Sequence, residues 1–219
     1  MKRLLTICLI VAGYIQAMFA EDNEKAHTMI VSGGPMVEVN LSGFAHSGYE
    51  NGLSEMKPGL SVGGFVNLCV SPHFSVQGEL SFTHKHSHFG WQDGSGCYRY
   101  WGMEIPVYAM FQHSMHHGGR IYIGVGPYTN FGLDAKFEND NGKLDLYEKD
   151  AYTGLPPMKS SDTGFGIKAG YEFPCGLQVN VSYKRSVSNL TDPNSSHVKM
   201  HPQTLSLGLA WHFGKPTIK

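Results

Sequence analysis

From residue 34 onward the chain alternates polar and apolar residues in eight runs broken by glycine, proline or polar clusters, with no sustained helical period. The runs are 34–44, 59–71, 74–82, 102–112, 120–131, 162–173, 176–187 and 203–213. Most are ten to thirteen residues long, whereas globular strands centre on about five or six and tilted membrane strands on about 9–11. The connections between them are 14, 2, 19, 7, 30, 2 and 15 residues, long and short in turn. A transmembrane barrel has this pattern, because short periplasmic turns alternate with longer outer loops. The expected fold is therefore all-β: an eight-stranded antiparallel up-and-down transmembrane β-barrel over 34–213, with both chain ends on the periplasmic side.

Each run has one apolar and one polar face. In the last, Leu205, Leu207, Leu209, Trp211 and Phe213 alternate with Thr204, Ser206, Gly208, Ala210 and His212. Alternation alone leaves open whether the apolar face meets lipid or fills the interior of a soluble, lipocalin-like barrel. Two features favour lipid. Aromatic residues gather at the run ends, with Phe82, Trp101 and Phe131 toward the outer loops and Phe74, Phe111, Phe173, Trp211 and Phe213 toward the short turns. Such a distribution resembles two interfacial girdles. The polar face is also rich in glycine, and glycine makes up about 12% of the chain against a norm near 7%. Small residues relieve crowding inside a barrel as narrow as eight strands.

The polar face carries Glu38, Glu79, Glu104, Lys168, Glu172 and Lys184. Charges in so narrow a lumen are costly unless paired, so these six are expected to form a salt-bridged plug with negligible steady conductance. A formal net charge of −1 excludes the global basic field of a nucleic-acid binder.

The N-terminus reads as an export signal. Lys2 and Arg3 precede an apolar run from Leu4 to about Tyr14, and Ala20 stands before Glu21 and Asp22. Cleavage is expected after Ala20, with Ala17 as the alternative. Residues 1–20 are then the signal peptide, 21–33 a short periplasmic segment and 214–219 a tail. No later stretch is long and apolar enough for a helical span. Three cysteines remain, Cys69, Cys97 and Cys175, an odd number that allows one bridge and requires none.

Twelve histidines raise the question of a metal. His84, His86 and His88 alternate, so on a strand all three share one face at the outer rim, and imidazole is a good ligand for zinc or copper. A water-exposed loop edge is the plainer reading, as it is for His113, His116 and His117 in a periplasmic turn. The long connection 132–161 holds Glu138, Asp140, Asp145, Glu148 and Asp150, but an EF-hand needs an acidic ligand five positions before its glycine, and Phe137 stands there before Gly142. No metal and no cofactor is expected. Nucleophile-elbow, HExxH and phosphate-loop motifs are absent from the sequence. Ser188 follows the seventh run where outer-membrane lipid A deacylases carry a nucleophile, but the position of the matching histidine is Ser186, and a serine without its base is a poor nucleophile.

The succession VEVNLSGF, KPGLSVGGFVN, FSVQGELSF, MEIPVYAMF, YIGVGPYTN, GFGIKAGYEF, YKRSVSNL and LGLAWHF resembles the PorT-like outer-membrane β-barrel domain family, widespread in Bacteroidetes-type bacteria. The resemblance spans the mature chain. It implies an exported barrel in the outer membrane of a Gram-negative bacterium. It also implies that the final strand, through Leu205, Leu207, Leu209, Trp211 and Phe213, is read by the barrel-insertion machinery. A member of the family is associated with a protein-secretion apparatus, which implies a structural or assembly role.

The functional expectation is a non-enzymatic, closed, monomeric barrel surrounded by outer-membrane lipid, with a protein partner at its outer loops or periplasmic rim. Two alternatives stand beside it: a soluble exported barrel binding an apolar ligand, and an outer-membrane lipid-modifying enzyme.

Overall fold

A computed structural model of the chain describes residues 30–47, 53–91, 94–116, 118–139, 142–148, 159–188 and 199–213. The signal segment, most of the segment before residue 34 and the tail 214–219 lie outside the described residues. Among the described residues there are nine strands: β1 (Ile30–Ser47), β2 (Leu53–Cys69), β3 (Phe74–Trp91), β4 (Gly94–Ser114), β5 (Arg120–Asn139), β6 (Gly142–Asp145), β7 (Ser161–Glu172), β8 (Leu177–Ser186) and β9 (Lys199–Trp211). Eight of them form one antiparallel sheet in the order β4-β3-β2-β1-β9-β8-β7-β5, and pairing of β4 with β5 closes it into a barrel. The short β6 folds back on the end of β5 outside the ring. First and last strands meet in register, with Leu41 opposite Leu205 and Val37 opposite Leu209. Every barrel strand thus has two neighbours, so no edge is left unpaired in lipid.

The faces decide what surrounds this barrel. Val39, Val62, Leu80, Val125, Ile167 and Leu207 point outward and are 46–61% exposed. On the same strands Asn40, Ser61, Glu79, Lys168 and Ser206 are buried at 5% or less. A soluble barrel binding an apolar ligand would have the opposite polarity, so that reading falls. All eight girdle aromatics of the sequence pattern are exposed, from Phe74 and Phe173 at 40% to Phe213 at 59%. Trp101 and Phe111 bound the belt on β4. Ten residues at about 3.3 Å each, tilted by about 40°, span about 25 Å along the membrane normal, the height of an outer-membrane apolar band.

The expected outer loops are mostly strand. In the connection read as 45–58, residues 45–47 continue β1 along β9 and residues 53–56 run along β3, and the connection read as 83–101 continues the β3–β4 ladder as far as Trp91 opposite Gly94. The connection read as 132–161 begins with further β5 and with β6. At the opposite end β1 starts at Ile30, four residues before the expected limit. The physical reason is that cross-strand hydrogen bonds satisfy the backbone equally well above the lipid, so the apolar belt does not set the strand length. Tyr98 and Tyr100 on β4 keep the inward alternation there and pack with Ala135 and Leu146 into a small core outside the membrane. Periplasmic turns stay tight, and Gly176 takes φ +95° in the β7–β8 turn, a conformation that disfavours side chains.

Val125 lies opposite Ile167 near mid-belt. Val125→Arg is expected to destabilise the barrel by about 2–4 kcal/mol in vesicle unfolding titrations, the cost of a guanidinium at the bilayer midplane. A change below about 0.5 kcal/mol would contradict the outward assignment.

Candidate functional site

The lumen is built by inward residues of all eight strands and holds two ionic clusters. In the central one, Lys168 of β7 reaches across to Glu79 of β3 at 2.6 Å and Glu38 of β1 at 3.1 Å. Lys184 of β8 pairs with Glu104 of β4 and lies 3.7 Å from Glu38. Lys85 of β3 takes the other Glu104 oxygen at 3.2 Å. Three carboxylates thus face three ammonium groups, a balance that burial in a narrow space demands. Tyr108 fills the lumen beside them, fully buried, with Lys168 Nζ 5.5 Å from its ring centre. Gly166 makes room for it, since a Cβ there would stand 3.1 Å from the Tyr108 hydroxyl and 2.9 Å from Lys184. Bulky side chains of β4 and β5 therefore rest on glycines of neighbouring strands.

Of the six charges read from the sequence, five meet in this cluster and Glu172 does not. It sits at the periplasmic end, bonded to Arg120 at 2.5 Å, His212 Nδ1 at 2.8 Å and Gln178 at 2.9 Å. Lys85, Arg120 and His212 are the partners that the six-residue reading omitted. Four acids against two lysines could not be neutral, and Lys85 and Arg120 supply the missing charge. Parity would have found both: Lys85 continues the inward odd positions of Glu79, Ser81 and Thr83, and Arg120 the even positions of Tyr122 and Gly124.

His212 Nε2 also lies 2.7 Å from the Ser32 hydroxyl. A carboxylate only accepts, so His212 donates Nδ1–H to Glu172, with Nε2 within hydrogen-bond distance of the Ser32 hydroxyl. This order, Ser32 to His212 to Glu172, has the spacing of a hydrolase triad. Its surroundings are those of a plug: Ser32 is 7% exposed, Phe65 packs edge-on to the imidazole at 5.5 Å, and Arg120 and Gln178 share the carboxylate.

At the outer end the lumen holds a small cup with about 40 Å³ of free space. Its wall includes Ser42, Tyr98, Tyr100, Asn130, Tyr147, Asp162 and Thr204, with Lys85 among its lining residues. The Tyr100 hydroxyl donates to Asn130 at 2.8 Å and Ser42 lies 3.3 Å from Thr204. Asp162 accepts from Ser186, from Ser188 at 2.5 Å and from Tyr128 at 3.3 Å. Ser188, the position compared with a deacylase nucleophile, therefore bonds to a carboxylate and a second serine rather than to a histidine.

Comparison with known proteins places the chain. The family described as outer membrane protein beta-barrel domain matches residues 26–192. The chain belongs to this family. Among solved structures it is similar to OprG of Pseudomonas aeruginosa, at 12% identity over 85% of this chain and 96% of that chain with a TM-score of 0.51. Ail of Yersinia pestis is 17% identical over 84% of this chain and 100% of that chain, TM-score 0.46. The outer membrane enzyme PagL is 12% identical over 80% and 98%, TM-score 0.41. At these identities the likeness is one of fold. No curated protein matches the chain. With the polarity of its faces, the family membership makes this barrel a resident of the outer membrane of a Gram-negative bacterium.

The histidines of the outer rim lie on β3 rather than on a loop. His84 and His86 sit with ring centres 4.3 Å apart, and His84 stacks on Trp101 at 4.2 Å. The side chain of His88 lies outside what is described. Among the described residues no group of three histidine, cysteine, aspartate or glutamate side chains is placed to hold a metal. His113 stacks on His73 at 6.0 Å; His117 lies outside the described residues. Of the acidic outer residues, Glu138 pairs with Arg99 at 2.9 Å and Asp145 accepts the Tyr147 backbone N–H, while Asp140 and Asp150 fall outside the described residues. Cys69, Cys97 and Cys175 are thiols.

Lys168→Met leaves Glu79 buried without its cation and is expected to cost about 3–5 kcal/mol in vesicle unfolding. Adding Glu79→Gln is expected to recover more than half of that loss. A single variant as stable as the parent would refute the paired lumen.

Proposed function

We propose that this barrel is a closed, non-enzymatic, monomeric outer-membrane protein of the PorT-like type that binds a protein partner through its outer projection, in an assembly or surface-interaction role. The observation that carries the proposal is the length of β3 and β4 beyond the belt. Nine residues separate the girdle residue Phe82 from the end of β3 at Trp91, about 30 Å along the strand. Spanning lipid needs none of this length. A hydrogen-bonded projection presents a surface already ordered for binding, which lowers the entropic cost of association.

The plug supports the closed half of the reading, because ionic clusters and Tyr108 occupy the section that a conduit would need. The order of the eight sequence motifs supports the PorT-like kinship, and with it the secretion-related role and recognition of the last strand by insertion machinery. Lack of catalysis rests on the environments of Ser32 and Ser188. Ser32 is buried at 7% exposure in a site where Phe65 packs on His212, which leaves no approach for a substrate, and Ser188 has a carboxylate where a nucleophile needs a general base of neutral pKa.

Chemical cross-linking in intact cells followed by co-purification tests the proposal. A stoichiometric envelope protein is expected, joined through exposed outer-side lysines such as Lys136 on β5; recovery of the barrel alone at all cross-linker lengths would oppose it. Treatment of the folded barrel with a fluorophosphonate probe is expected to leave Ser32 and Ser188 unlabelled. Labelling of either at a rate above free serine would instead support the enzyme.

A further inference from the structure

We propose that Arg185 is the centre of a binding site, on the lipid-facing wall of the barrel, for the phosphomonoester group of an outer-leaflet lipid. The site lies on β7, β8 and β9, apart from the lumen and from the projection on which the functional reading rests.

Arg185 alternates on β8 with Lys184 and Ser186, both buried in the lumen, so its side chain points outward, where it is exposed. The strand sets its height. Leu177, at the far end of β8, stands opposite the girdle residue Trp211. Each residue advances about 3.3 Å along a strand tilted by about 40°, which puts Arg185 about 20 Å above Leu177 along the membrane normal. In an apolar band about 25 Å tall, its Cα then lies about 5 Å below the outer edge. An arginine bridges that depth by laying its methylenes on apolar surface and carrying its head to the interface. Phe165 of β7, the cross-strand neighbour of Arg185, is 61% exposed and supplies that surface. The guanidinium is thereby held at the level of the outer-leaflet phosphates.

A cation at this level calls for an answering charge. Other exposed cations of the outer side find theirs within the chain, Arg99 in Glu138 at 2.9 Å and Lys136 in Asp134 at 2.8 Å. Among the described residues Arg185 has no such partner, and no aspartate or glutamate of β7, β8 or β9 faces outward, since Asp162 and Glu172 are buried in the lumen. What stands beside it is a further donor. The Tyr183 hydroxyl donates to Gln203 Oε1 at 3.2 Å, which aligns the amide and leaves its N–H groups to donate elsewhere. Gln203 is the neighbour of Arg185 on β9, and side chains paired in this way leave Cβ atoms about 4.5–5.5 Å apart. A guanidinium fork and an amide N–H on one patch offer three donors and one positive charge. A phosphomonoester, with three acceptor oxygens and nearly two negative charges, matches that set. A diester brings two free oxygens and a single charge, and a zwitterionic headgroup adds its own cation to a place already cationic.

The test uses the folded chain in a neutral detergent, with bound lipids counted by native mass spectrometry. Phosphatidic acid is the monoester probe, phosphatidylglycerol the diester and phosphatidylcholine the zwitterion, all with the same acyl chains. One phosphatidic acid is expected to bind about tenfold more tightly than either of the others. Arg185→Gln is expected to weaken it about tenfold, the worth of a charge-assisted hydrogen-bonded pair, and Gln203→Leu about threefold. Arg99→Gln, which removes a guanidinium already committed to Glu138, is expected to leave it unchanged. The proposal is overturned if phosphatidic acid shows no preference, if Arg185→Gln binds as the parent does, or if Arg99→Gln loses as much. Displacement of the lipid by an equal concentration of inorganic phosphate would also overturn it, by making the patch a site for a free anion. Heat-modifiable gel migration of parent and variants reports the barrel independently of its lipid.

Discussion

Within a bilayer every backbone N–H and C=O must find its partner in the protein, and for a chain of strands only closure of the sheet provides it. Closure between β4 and β5 at eight strands fixes a lumen too narrow for water to solvate ions freely. From that constraint follow the three-to-three balance of Glu38, Glu79 and Glu104 with Lys85, Lys168 and Lys184, and the placement of Tyr108 over Gly166. Belt residues such as Val125 and Leu207 are exposed because the lumen has no room for them and lipid does.

The same ionic contacts tie together strands that never pair. Lys168 joins β7 to β3 and β1 across the lumen, and Lys184 joins β8 to β4. Polar cross-lumen contacts have low tolerance for displacement, since each broken pair strands a buried charge. They therefore brace the ring from within, while the periplasmic cluster of Arg120, Glu172 and His212 closes one end and the cup stays open at the other. The ionic bracing of the interior is thus concentrated in the central and periplasmic sections.

Strand number, direction and face were legible in the sequence because a period of two assigns each residue to lipid or lumen. Glu38, Glu79, Glu104, Lys168 and Lys184 could be placed inside on parity alone. The projection was not legible: residues 83–91 read as a polar loop because THKHSHFGW lacks the apolar half of the alternation, yet above the bilayer no apolar half is needed. Lys85 was lost with that segment. The meeting of Ser32 with His212, 180 positions apart, depended on the shared register of β1, β9 and their neighbours, which no local pattern encodes.

The central claim is the direction of the two faces, with charge inward and hydrocarbon outward. It is tested most directly by nuclear Overhauser contacts from side-chain methyl groups in a lipid bilayer or nanodisc. Val125, Ile167 and Leu207 are expected to contact lipid acyl chains and not water. Water contacts at those methyls without acyl contacts would contradict the account.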